Sequence, residues 1–168
     1  FSVADLNGDG NLDILFTERS VGLRLFVGDG NLAFSAVDPD SIGLTSPAGH
    51  LVGSSVADID GDGDNDVLLL GESSTVYLQE GKGHFVAQPG VLPTEPGDNR
   101  LDVTPSWADF DRDGELDVYI ASRPAMIPEQ ESAIPGGRDM LLRRSKDGSF
   151  EDHINELLPL EDLSLIHI

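Results

Sequence analysis

The chain has 168 residues, no cysteine and a formal charge of −21, from 31 acidic against 10 basic residues. That length suffices for one packed domain, and the missing thiols exclude disulfides and thiolate metal sites. The charge leaves no basic face of the kind a phosphate backbone requires, so nucleic acid is not an expected partner. No run approaches the ~20 apolar residues of a membrane helix.

The first element is an apolar lead-in, Phe1-Ser2-Val3-Ala4, followed at once by Asp5-Leu6-Asn7-Gly8-Asp9-Gly10-Asn11-Leu12-Asp13 and the β-type run Ile14-Leu15-Phe16-Thr17. Two β segments around a nine-residue loop predict a hairpin whose turn is that loop. A second hairpin follows, Leu23 to Val27, the turn Gly28-Asp29-Gly30, and Phe34. After a Pro- and Gly-rich link from Asp38 to Gly49 the same order returns. It runs Ser55-Val56-Ala57, the loop Asp58-Ile59-Asp60-Gly61-Asp62-Gly63-Asp64-Asn65-Asp66, the run Val67 to Leu70, then Val76 to Gln79 and Gly81 to Val86.

A second link, Gln88 to Asp98, leads to Ser106-Trp107-Ala108, the loop Asp109-Phe110-Asp111-Arg112-Asp113-Gly114-Glu115-Leu116-Asp117, and Val118 to Ala121. The closing hairpin there is Met140 to Arg144 with Lys146 to Phe150, and a polar, proline-punctuated insertion precedes it. Insertions of this kind in repeat proteins map to loops on one face, often the binding face; the alternative is a mobile loop of no consequence.

Three loops of the form D-x-[DN]-x-[DN]-G-x-x-D, starting 53 and 51 residues apart, are too regular for chance even in an acidic chain. Four short strands per ~50 residues describe one propeller blade. The expected fold is therefore all-β, a partial β-propeller of about three four-stranded blades, with helix a minor component. The expected units are 1–37 (truncated at its start), 53–90, and 104–153 with its insertion at 124–138. Residues 154–162 are expected to begin a further unit or a short helix. Residues 163–168, Leu-Ser-Leu-Ile-His-Ile, match the translation of a sequencing-library adapter and are set aside. The chain is expected to be part of a longer protein that supplies the remaining blades, since propellers close with four to eight.

Short carboxylates two residues apart converge on one point only if the backbone curls around it, and the sixth-position glycine allows that turn. Hard oxygen donors in this number, with no His or Cys among them, suit calcium better than zinc or copper. The loops are not EF-hands, which need a bidentate Glu at position twelve between two helices; position twelve here is Phe16, Leu69 or Ile120.

On these residues the chain resembles the FG-GAP/VCBS-type repeats, the calcium-loop blades of integrin α-subunit propellers and many secreted proteins, over roughly residues 1–153. The third unit, through Leu141 to Phe150, is similar to repeats of the cartilage-acidic-protein/UnbV-like group. The Gly-Ala-Pro element of the family name is absent. The resemblance implies up to three Ca²⁺. Ligands at positions one, three, five and nine would be Asp5, Asn7, Asp9 and Asp13; Asp58, Asp60, Asp62 and Asp66; and Asp109, Asp111, Asp113 and Asp117. Backbone carbonyls at position seven would come from Asn11, Asp64 and Glu115. Loop one, with one carboxylate fewer, is expected to bind most weakly.

All these ligands belong to one loop each, so the ion is expected to pin blade geometry rather than act on a substrate. His50, His84, His153 and His167 are scattered without a partner at metal or triad spacing, and no nucleophile motif accompanies them. The aromatics Tyr77, Phe85, Trp107, Phe110, Tyr119 and Phe150 recur at blade positions and are expected in the cores between blades. The expected function is an extracellular or cell-surface adhesion or ligand-binding module for a protein or glycan, and not an enzyme. The alternative is the non-catalytic propeller part of a secreted carbohydrate-active enzyme.

Overall fold

A computed structural model describes residues 1–19, 21–93, 100–124 and 138–157. Most of the 124–138 insertion, part of the second link and the adapter-like end lie outside these residues.

The fold is all-β, three four-stranded antiparallel meanders. The first sheet orders β1 (Ser2–Ala4), β2 (Asp13–Glu18), β3 (Gly22–Gly28) and β4 (Phe34–Val37). The second orders β5 (Leu51–Ala57), β6 (Asp66–Gly71), β7 (Thr75–Gln79) and β8 (Phe85–Gln88). The third orders β9 (Arg100–Ala108), β10 (Asp117–Pro124), β11 (Met140–Arg144) and β12 (Phe150–Asp152). The sheets pack face to face as consecutive blades of a partial propeller. Among the described residues no helix is long and apolar enough to cross a membrane. The short helix α1 (Ile154–Leu157) follows the third sheet, and a 3-10 turn, Pro39–Ile42, sits in the first link.

The second strands show why the sheets stack. Strand side chains alternate between faces, so a strand apolar at every position must be covered on both. In β6 all six residues are buried. Val67 and Leu69 join a core with Leu6, Leu15, Leu25, Tyr77 and Phe85, between the first and second sheets. Leu68 and Leu70 join Ile59, Val118, Ile120, Leu142 and Phe150, between the second and third. Burying each such side chain is worth about 1.5–3 kcal/mol, so the two interfaces are the main cohesive elements.

Among the described residues the outer faces of the end sheets carry no such cover. Phe16, equivalent to Leu69 and Ile120, is 40% exposed and stacks on Phe1 and Phe26, at ring distances of 5.8 and 5.9 Å. The second loop residue makes the same point at the other end. Leu6 and Ile59 are 1% and 2% exposed, each inserted in a core shared with the following sheet, whereas Phe110 is 48% exposed. The expectation that Phe110 packs between blades therefore fails among the described residues, because no sheet follows the third. Tyr77, Phe85 and Phe150 are buried in the cores, Trp107 packs against the second core, and Tyr119 is partly buried, its hydroxyl donating to Asp139 Oδ2 at 2.5 Å.

The first strands of adjacent sheets are also tied by side chains. The Ser2 hydroxyl donates to the Ser54 carbonyl at 2.9 Å, and the Trp107 indole N–H donates to the Ser55 hydroxyl at 3.0 Å. These ties hold the blade ends that carry the acidic loops in a fixed relation.

Candidate metal centre

Each acidic loop closes the hairpin between the first two strands of its sheet, so the three loops occupy equivalent ends. The ninth-position aspartate opens the second strand and is the pivot: Asp13, Asp66 and Asp117 are 0%, 0% and 1% exposed. One carboxylate oxygen accepts the N–H of the second loop residue, from Leu6 at 2.9 Å, Ile59 at 2.7 Å and Phe110 at 2.8 Å. The other accepts an N–H from the third strand, from Gly28 at 2.9 Å, Gln79 at 2.8 Å and Arg144 at 2.9 Å. Each aspartate thereby clips its loop to the third strand of its sheet through charge-assisted bonds.

The remaining ligand positions fold over the loop backbone in the same way three times. The first-position carboxylate accepts the N–H of the sixth-position glycine: Gly10 to Asp5 at 2.8 Å, Gly63 to Asp58 at 3.1 Å, Gly114 to Asp109 at 3.1 Å. Position three accepts from the N–H of position five, in Asn7–Asp9, Asp60–Asp62 and Asp111–Asp113. Position five accepts from position seven, where Asn11, Asp64 and Glu115 donate at 2.8 to 2.9 Å. The sixth residue adopts a left-handed φ of 87°, 95° or 94° in Gly10, Gly63 and Gly114, a region costly to any residue with a Cβ. Position four does the same, and there Arg112 takes φ 65° where the other loops have Gly8 and Gly61.

This curl gathers carboxylates. One oxygen from each of Asp58, Asp60 and Asp66 lies within 4.8 Å of the others, and the same holds for Asp109, Asp111 and Asp117. Among the described residues these are the two groups of three or more acidic side chains so gathered; loop one has the amide of Asn7 in the third place. All donors are hard oxygens, and the two groups fit a divalent cation of that preference, calcium included.

The loops differ in how their charge is met. Burial pushes the Asp5 carboxyl up, but the N–H groups of Gly10, Gly8, Asn7 and Asp9 outweigh it and leave its pKa below the ordinary value. In loop two, burial drives Asp66 up to about 6 despite the Gln79 and Ile59 N–H bonds, with the Asp60 charge adding to the rise. Asp60 is raised as well, by burial and then by Asp62. Carboxylates that resist ionising together are relieved by a cation between them. In loop three the Glu115 N–H, and then Arg143, hold Asp113 below its usual value.

Several contacts lay beyond sequence reasoning. Arg143 Nε pairs with Asp111 Oδ2, Arg143 Nη2 reaches Asp113 Oδ2 at 3.2 Å, and Arg144 Nη1 pairs with Glu115. Asn65 Nδ2 donates to the Asp5 carbonyl at 2.9 Å, joining loop two to loop one. Buried Asp102 accepts from Ser74, in the turn between β6 and β7, and from Ser122 in β10. Only the register of the blades, which places Arg143 opposite a loop aspartate, would have flagged the arginines. His50 pairs with Glu72 at 2.8 Å and His153 with Glu156 at 2.9 Å, both at the surface.

A model of the FG-GAP-like repeat matches the chain twice, over residues 5–69 and 58–120. The matches are the same window displaced by one repeat, each starting on the first aspartate of a loop and ending on the twelfth position of the next loop. No curated protein matches the chain.

Proposed function

The chain belongs to the FG-GAP-like repeat family, and on that premise we propose that it is a calcium-stabilised propeller module that presents a binding surface for a protein or glycan outside the cell. The observation that carries the calcium part is the threefold loop geometry with its two gathered carboxylate groups. Asp58, Asp60, Asp62 and Asp66 hold one ion and Asp109, Asp111, Asp113 and Asp117 a second. The weaker set Asp5, Asn7, Asp9 and Asp13 holds a third, and the carbonyls of Asn11, Asp64 and Glu115 complete the shells. The ion's part is to neutralise the loop and fix the hairpin. Every side-chain ligand also bonds the backbone of its own loop or strand, which supports a structural rather than a catalytic ion.

Single-loop sites of this kind in extracellular modules have dissociation constants of ~10⁻⁴–10⁻³ M, filled outside the cell and empty in the cytosol. A secreted or surface location is where sites of that affinity would be filled. Thermal unfolding of the chain in excess EDTA, then across a calcium titration with magnesium as control, tests the proposal. At ~1 mM calcium, constants of that size add about 0.4–1.4 kcal/mol per site, so the melting temperature rises at millimolar calcium and not at equal magnesium. A cooperative melt indifferent to calcium would refute it.

A further inference from the structure

Resting on the calcium reading above, we propose that Arg143 is the resident counter-cation of loop three, which a divalent ion must displace, so that loop three fills after loop two.

The register places the three blades on one frame. Val118 pairs with Leu142, Val67 with Tyr77 and Ile14 with Phe26, which makes Arg143 the equivalent of Leu78 and Val27. Val27 and Leu78 each pack into the core shared with the following sheet. Arg143 stands on the outer face of the third sheet, beside Phe110, Leu141 and His153. Instead of packing sideways it turns along the strand end onto its own loop. Its Nε meets Asp111 and its Nη2 meets Asp113 at 3.2 Å, so one planar fork spans the third and fifth ligand positions. Asp111 is one of the gathered carboxylates and Asp113 is the fifth-position ligand of the calcium reading. Among the described residues no cation forms an ion pair with the corresponding Asp60 and Asp62 of loop two, where Arg144 acts on Asp60 only at longer range.

A guanidinium stays charged at every accessible pH, so it competes with a metal without being titrated away. It also supplies donors in a fixed plane that hold two carboxylates together. Its side chain is half exposed, so the pairs are screened and easily opened. The barrier to entry is therefore a shift in affinity and not a block. Arg143 thus offsets part of the repulsion in metal-free loop three, while in loop two, among the described residues, only the longer-range charge of Arg144 does so.

The test uses the backbone N–H groups of Gly10, Gly63 and Gly114, one inside each loop, as separate reporters in amide NMR of the full chain. In the wild type, Gly114 responds at higher calcium than Gly63. Arg143→Leu, which installs the residue of the second blade, shifts the Gly114 midpoint to about three- to tenfold lower calcium, the scale set by one or two screened ion pairs. Arg112→Gln removes an equal charge from the same loop without touching Asp111 or Asp113, and shifts Gly114 less than about twofold. Arg143→Gln repeats the measurement with a polar side chain if the leucine variant loses its dispersed spectrum. Equal shifts from Arg112→Gln and the Arg143 variants would overturn the proposal, as would a Gly114 midpoint unmoved while Gly63 responds to calcium; either result leaves the calcium reading standing. Silence at all three glycines overturns both.

Discussion

Removing the loop clip measures how much of the site is architecture and how much is ion binding. Asp66→Ala deletes a fully buried carboxylate that accepts the N–H groups of Ile59 at 2.7 Å and Gln79 at 2.8 Å. A buried donor left without a partner costs roughly 1–3 kcal/mol. Two such donors, partly relieved by water reaching the loop, give a loss of about 2–4 kcal/mol. Asp66→Asn keeps the volume and one acceptor oxygen but turns an NH₂ toward the other donor, so it ranks between alanine and wild type. The assay is urea unfolding of the three proteins, first in EDTA and then in saturating calcium. The clip predicts that most of the alanine loss is present in EDTA, before any ion contributes. Calcium then stabilises the wild type more than either variant, because one ligand is gone. A loss under about 0.5 kcal/mol in EDTA, with the full effect seen only in calcium, would refute the clip and leave Asp66 as a ligand alone.

Two further predictions concern a loop glycine that is not itself a ligand and the Tyr119 hydroxyl. Gly63→Ala places a Cβ in open space but at φ 95°, so the cost is backbone strain of about 1–2 kcal/mol, read as a lower urea midpoint; no change would mean that the loop relaxes to another turn. Tyr119 is pushed up to about 12, by burial first and then by its hydrogen bond to Asp139. The folded state thus favours the neutral phenol. This stabilisation is complete below the ordinary tyrosine pKa of 10.0 and is lost as pH rises through 12. Wild type should lose stability over that interval and Tyr119→Phe should lose less, which a urea series from pH 9 to 12 would decide.

The repeats were legible because their signals are local. A glycine among alternating oxygens makes a loop wherever it falls, and the unbroken run Val67 to Leu70 can only be a strand covered on both faces. The long first strands were not legible. β5 begins at Leu51 and β9 at Arg100, each with a register shift in its pairing to the next strand, and β9 contains Pro105; proline and a bulge mask alternation. The 3-10 turn in the first link carried its signals, Asp38 as cap, Pro39 at the start and Gly43 at φ 85°, but four residues are too few to show a period. Phe110 could not be told from Leu6 or Ile59, because its exposure depends on what lies beyond the third sheet and not on its own loop. Arg143 escaped notice because its partners are 30 and 32 positions away and meet it only through the register.

The position-two residues also show how a loop and an interface become one unit. The Leu6 N–H is fixed by Asp13, while the Leu6 side chain sits in the core between the first and second sheets. Ile59 is held in the same way by Asp66 and inserts between the second and third. Whatever orders such a loop therefore also orders the wall of the next interface. Fraying of that interface in turn frees the backbone N–H that the buried carboxylate needs. An ion bound at loop one or loop two would accordingly stabilise a junction between blades as well as a turn. Loop three has the clip, from Phe110 to Asp117, but an exposed ring in place of the buried one. Its ordering is thus transmitted to no neighbour among the described residues. A guanidinium there bears on its own loop alone, whereas the equivalent residue of the second blade, Leu78, packs in the core between the second and third sheets, where a charged head would be buried.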